Sequence, residues 1–349
     1  MEPVEQLVNE RVMAPYLLLA TLFLSLLVLA ALDIAFIYLG LLPGLSGATW
    51  LRTHFVTIGI LSEMAFALIT LVVAQARSPQ AARRWDVWLT LHAGLLLLLI
   101  GLPQINATLL IAGGTLIFIA VTLLFLQLRR ARPALAFTMR DGRPFYAVSL
   151  LYLLLGIFLG TGLWLGWGKY IGLAGPKEVH VHTNLWGFTS LFFAGLFVDL
   201  YPQFARRALA WPRSISAIFW LMALGALGMV VGPWLQLNLL TSLGLVLHTI
   251  ATIWLLANLL KPLHRSGSRR SPGYWHLFTA YIWFFIPVVV APLIVSNAES
   301  LAVGRIEQQG GAILIYGWIL PICYALVPYL AGRLFPHGQE LQLGGTWLS

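Results

Sequence analysis

The chain has 349 residues, 60% of them hydrophobic and 9% charged, with a mean hydropathy of +0.87. Soluble domains carry about 25% charged residues, so a water-soluble globule is excluded, and a single cysteine, Cys323, excludes a disulfide-stapled secreted fold. The 21 Lys and Arg exceed the 12 Asp and Glu by a net +9, yet no nucleic-acid motif accompanies them and no nucleic-acid partner is expected.

In chain order, the opening MEPVEQLVNERVMAPY lacks the basic region and cleavage site of a signal peptide, so the first apolar segment reads as a retained span. Apolar stretches then fall at 13–41, 47–75, 84–101, 103–128, 144–168, 177–204, 212–232, 235–260, 273–297 and 306–330. Each can cross a hydrocarbon core of about 30 Å at 1.5 Å per residue, and each exceeds the roughly 9–11 residues of a barrel strand. The expected fold class is all-α integral membrane, with about ten transmembrane helices and with Pro103, Pro144, Pro212 and Pro272 marking helix starts.

The loops after the second, fourth, sixth and eighth spans hold 15 Arg and Lys, against four in the other loops. By the positive-inside rule both termini are cytoplasmic. The basic surplus thus reports topology.

Position 54 plus 126 is 180, and a further 126 is 306, which pairs LRTHFVTIGILSEMAF with VHVHTNLWGFTSLFF and IEQQGGAILIYGW. Four helices per unit is an even number, so successive units run parallel. The chain reads as one polytopic membrane domain over 1–349, built of pseudo-repeat units at about 13–128, 144–260 and 273–330, the last truncated.

Ionisable groups inside a bilayer cost about 2.5–3.5 kcal/mol each on insertion scales, which makes the intramembrane histidines site candidates. His264, His276 and His337 read as interfacial or tail residues. His54, His180 and His182 fall in the first turns of the second and sixth helices, near the non-cytoplasmic face. A spacing of i, i+2 is about 200° of helical rotation, so His180 and His182 point to opposite sides. One of the two paired with His54 makes a bis-imidazole haem iron site, with Gly187, Ala194 and Gly195 leaving room for the macrocycle. The alternative is that these histidines only hold helices together at about 1 kcal/mol each. His92 and His248 lie deeper and are reserve metal ligands or buried hydrogen-bonding groups. Glu63 stands nine residues beyond His54, about 13 Å deeper. Asp33 and Asp199 complete a sparse acidic set open to a proton path.

The segment His180-Val-His182-Thr-Asn-Leu-Trp-Gly-Phe resembles the HxHxxxxGF/W segment of the haem–copper oxidase subunit I superfamily, nearest the cbb3-type catalytic subunits and the NnrS-type membrane haem–copper proteins. Leu51-Arg52-Thr53-His54, followed by Val56-Thr57 and Gly59, is similar to the helix bearing the low-spin haem ligand there. The resemblance implies a ring of helices with threefold pseudo-symmetry. It also implies haem b between His54 and His182, with His180 left for a second haem or metal, copper included. Electron transfer or nitric oxide and oxygen chemistry in a bacterial inner membrane follows, with lipid around the chain, a redox partner subunit or quinol as electron donor, and a small gas as ligand. The chain departs from the superfamily in having ten spans against twelve, no His-His dipeptide, and Gln308 at the repeat position of His182, so the usual copper-site motif is missing. A transporter or metal permease using the histidines as transient ligands, or a non-catalytic assembly subunit, is the alternative reading.

Overall fold

The computed structural model describes residues 11–44, 47–131, 141–204, 208–264, 272–295 and 309–332. These residues form helices and connecting turns, with no strand among them, and ten helices are long and apolar enough to cross a membrane. In hydrocarbon no water satisfies backbone N–H and C=O groups, so a long Leu- and Ala-rich run closes its hydrogen bonds within itself as a helix. We number the helices α1 (Ala14–Tyr38), α2 (Ala48–Ala76), α3 (Trp85–Gln104), α4 (Ala107–Arg130), α5 (Arg143–Leu165), α6 (176–204), α7 (Ile215–Leu235), α8 (Asn238–His264), α9 (Pro272–Val295) and α10 (309–332).

Several ends differ from the hydropathy reading, each for a local reason. Pro103 lies inside α3 instead of opening α4. The helix runs on to Gln104 and stops at Ile105 in the left-handed region (φ 50°). α4 then starts behind Asn106, whose side chain accepts the Leu109 N–H at 3.1 Å. α5 ends at Leu165, three residues early, because Gly166 takes φ +67°. α7 likewise ends at Gln236 (φ 56°), so α8 begins at Asn238. Gln308, His337, Arg305 and the basic residues 132, 140, 206, 207, 265, 269 and 270 lie outside the described residues.

Three helices contain a π-helical turn: Phe55–Ile60 in α2, Thr183–Thr189 in α6 and Ile313–Ile319 in α10. Each encloses one glycine, Gly59, Gly187 and Gly317, and these are 128 and 130 residues apart. The 126-residue spacing read from the histidines is therefore out of register. Counting from the glycines, His54 corresponds to His182, not to His180, and the third counterpart is Ala312, not Gln308.

The described residues divide into two compact units: α1–α4 with residues 272–281 and 315–332, and α5–α8 with residues 282–295 and 309–314. In the first, α1 packs along α2, α3 and α4 form a hairpin, and α10 lies against α1. The hairpin closes at Gly94 and Gly113, where a Cβ on either would stand 2.9 Å from the other's carbonyl oxygen. In the second, α5 packs along α6, and the α7–α8 hairpin closes at Gly225, Gly228 and Gly244. Between helices in lipid no hydrophobic effect operates, so close backbone approach at small residues supplies the dispersion that holds each pair. Gly94, Gly101, Ile105 and Gly113 of one hairpin recur 131 residues later as Gly225, Gly232, Gln236 and Gly244 of the other.

Candidate functional site

In the first unit, α2 opens with the seven-residue α-helical stretch Ala48–His54, and the π turn follows at once. His54 is half-buried, and its Nδ1 lies 2.6 Å from the Trp50 carbonyl one turn back. A carbonyl only accepts, so Nδ1 carries the proton and Nε2 is the remaining nitrogen. Nε2 of His54 makes no hydrogen bond among the described residues. Two residues earlier, Arg52 forms a fork on Asp33 of α1, at 2.8 and 3.0 Å. Asp33 is therefore committed to an ion pair.

In the second unit, α6 repeats the arrangement: the seven-residue stretch Pro176–His182, then a π turn. His182 donates from Nδ1 to the Met229 carbonyl of α7 at 2.7 Å, and its Nε2 makes no hydrogen bond among the described residues. His180 turns the other way, with Nδ1 2.9 Å from the Gly156 carbonyl of α5. Its ring lies over Gly160, where a Cβ would come within 2.8 Å of Cε1. Asn184 donates to the His180 carbonyl at 2.8 Å. The opposite orientations expected from the i, i+2 spacing are thus observed, one toward α5 and one toward α7.

The small residues expected to leave room for a flat macrocycle do not leave it. Gly187 is filled by the Tyr152 ring of α5, and Gly195 by Phe145 and Tyr146 of the same helix. Ala194 is buried. Their smallness serves the close approach of α5 to α6.

His248 is fully buried on α8. Its Nε2 lies 2.9 Å from the Ser190 hydroxyl, its Nδ1 3.4 Å from that of Thr252, and its ring stands edge-on to Trp186 in the π turn of α6. Both nitrogens are thus engaged. His92 on α3 donates from Nδ1 to the Trp88 carbonyl at 2.6 Å, and its Nε2 faces Glu63 Oε1 of α2 at 2.8 Å. The sequence put Glu63 and His92 on separate helices with no reason to pair them. Their meeting, and the packing of Trp88 against His92 with ring centroids 4.2 Å apart and planes tilted by 34°, emerge only from the fold. Asp199 near the C-terminal end of α6 accepts the Gly142 N–H at 2.8 Å, a carboxylate at the N-terminus of α5. No group of three or more His, Cys, Asp or Glu that could hold a metal occurs among the described residues.

The arrangement that stands out is therefore a repeated one. A histidine ends seven residues of α-helix, fixes its Nδ1 proton on a carbonyl, and precedes a π turn, a feature concentrated at functional sites. Comparison with protein-family models, curated proteins and solved structures finds no match to this chain.

Proposed function

We propose that the chain is a multi-pass haem b protein of the bacterial inner membrane with cytoplasmic termini, ligating iron through Nε2 of His54 and His182. The carrying observation is that these two residues occupy the same place in α2 and α6, seven residues into the helix and five before the glycine of the π turn. Each has Nδ1 committed to a backbone carbonyl and Nε2 without a hydrogen bond among the described residues. A neutral imidazole nitrogen in hydrocarbon has no water to bond, so a coordinated metal removes an otherwise uncompensated polar atom. A carbonyl on Nδ1–H also fixes the tautomer and raises the basicity of Nε2, as the hydrogen-bond acceptors behind metal-bound histidines do.

Bound haem b supplies a one-electron couple, suited to electron transfer or to nitric oxide and oxygen chemistry. His180, fixed on α5 and pointing away from His182, is reserved for a second haem or metal, with copper included. His248 and His92 stay outside the ligand set, because Ser190 and Glu63 face their Nε2 atoms. The resemblance to the haem–copper oxidase superfamily supports the same assignment. A partner subunit or quinol would deliver the electrons.

The test is a reduced-minus-oxidised visible spectrum with a pyridine haemochrome assay on detergent-purified wild type, His54→Ala, His182→Ala and His180→Ala. A b-type α-band lost in the first two variants and retained in the third is the expected result. A colourless wild type from haem-replete cells refutes the proposal and leaves the permease or assembly-subunit reading.

A further inference from the structure

The first unit contains a second polar constellation that haem ligation does not use. Glu63 has no exposed side-chain surface, while 16% of the His92 side chain is accessible. Glu63 Oε1 lies 2.8 Å from His92 Nε2, off the line of a good hydrogen bond. Glu63 Oε2 and the Trp88 indole Nε1 are buried with no hydrogen-bond partner. Since His92 Nδ1–H is given to the Trp88 carbonyl, Nε2 of the neutral ring is a bare lone pair. A bare nitrogen and an ionised carboxylate oxygen repel at this separation. The contact is therefore stable only if one of the two atoms carries a further proton.

Two placements satisfy that requirement: an imidazolium beside a carboxylate, or a neutral imidazole beside a carboxylic acid. Separated charges at this depth carry two desolvation penalties that their attraction must first repay. The acid form carries none. An acceptor, Oε2, and a donor, Nε1, are left orphaned, and a buried water normally has two to four polar partners. We propose that Glu63, His92 and Trp88 form a binding site for a proton and the water that carries it, with the proton resting on Glu63 against His92 Nε2. On loading, the carboxylate gains H⁺ and becomes the neutral acid. On unloading, the proton leaves through the water or through the accessible imidazole edge.

The other titratable groups on the helices packed against α2 do not compete. Tyr16 of α1, its ring centroid 6.3 Å from that of His92, is a neutral phenol at neutral pH, Arg11 in the turn before α1 is exposed, Asp33 of α1 is paired with Arg52, and Asp86 of α3 is paired with Arg84. α4 carries no titratable residue before Arg129.

The experiment is attenuated-total-reflection infrared spectroscopy of the full chain in lipid nanodiscs at neutral pH, in H₂O and in D₂O. The samples are wild type, Glu63→Gln, His92→Phe and wild type carrying ¹³C-glutamate. The expected result is a protonated-carboxyl C=O band that shifts with ¹³C-glutamate, moves down in D₂O, disappears completely in Glu63→Gln and moves up in His92→Phe as its polar neighbour is lost. A wild-type spectrum without a ¹³C-glutamate-sensitive acid band overturns the proposal. A band that does not respond to D₂O also overturns it, because the proton would then be sealed from water. Isotope labelling needs no substitution, so the test stands even if the variants fail to fold.

Discussion

Gly244→Ala measures how far the α7–α8 hairpin depends on backbone contact. A Cβ at this position would stand 2.6 Å from the Gly225 carbonyl oxygen and 2.6 Å from the Met229 amide nitrogen. Both are backbone atoms of α7, so no side chain can rotate away. Ordinary contact begins at 3.4 Å, so the helices must separate by about 0.8 Å along this line, and two backbone clashes put the strain at the upper end of the overpacking range, about 2–3 kcal/mol. Alanine is intrinsically a better helix former by about 1 kcal/mol, which offsets part of that. The net expectation is a loss of about 1–2 kcal/mol, or roughly 2–6 °C in Tm. Thermal unfolding in detergent followed by circular dichroism reads it. Gly310→Ala is the matched control, since nothing lies within 4 Å of its Cβ position and propensity acts there alone, predicting no loss. A Tm for Gly244→Ala equal to or above that of wild type would show that the hairpin is not held by this approach.

Asn258, fully buried on α8, accepts the Trp211 N–H at 2.6 Å and donates to the Trp211 carbonyl and the Ser214 hydroxyl. Asn258→Ala should cost about 1–3 kcal/mol through the stranded backbone groups and speed tryptic cleavage after Arg213, and an unchanged cleavage rate would refute it. The Arg52–Asp33 fork, with side-chain exposures of 15% and 30%, should show a coupling of about 1–2 kcal/mol in a double-mutant cycle of Arg52→Gln and Asp33→Asn. Zero coupling would reduce it to an ordinary surface pair.

The ten spans were legible because each follows from one quantity, the length of an uninterrupted apolar run. The π turns were not, because one inserted residue leaves hydropathy unchanged. Without them the histidines suggested a spacing of 126 residues, whereas Gly59, Gly187 and Gly317 inside the turns give 128 and 130. His180 and His182 could be oriented from helical rotation, since both sit on one helix. The Glu63–His92 contact could not, since it depends on how α2 and α3 are turned toward each other. Gly187 and Gly195 were misread for a related reason: a small residue marks a close approach without saying whether helix or ligand makes it.

The two-residue connections at the hairpins have a practical consequence for anyone handling this protein. Between α3 and α4 the chain turns on Ile105 and Asn106, and between α7 and α8 on Gln236 and Leu237. Both turns hold a non-glycine residue at positive φ, a conformation that L side chains rarely adopt. Neither turn has slack to accept an epitope tag, a protease site or a fluorophore-bearing insertion without unwinding the glycine contacts below it. Antibody or labelling studies should therefore place their handles at other corners of the chain.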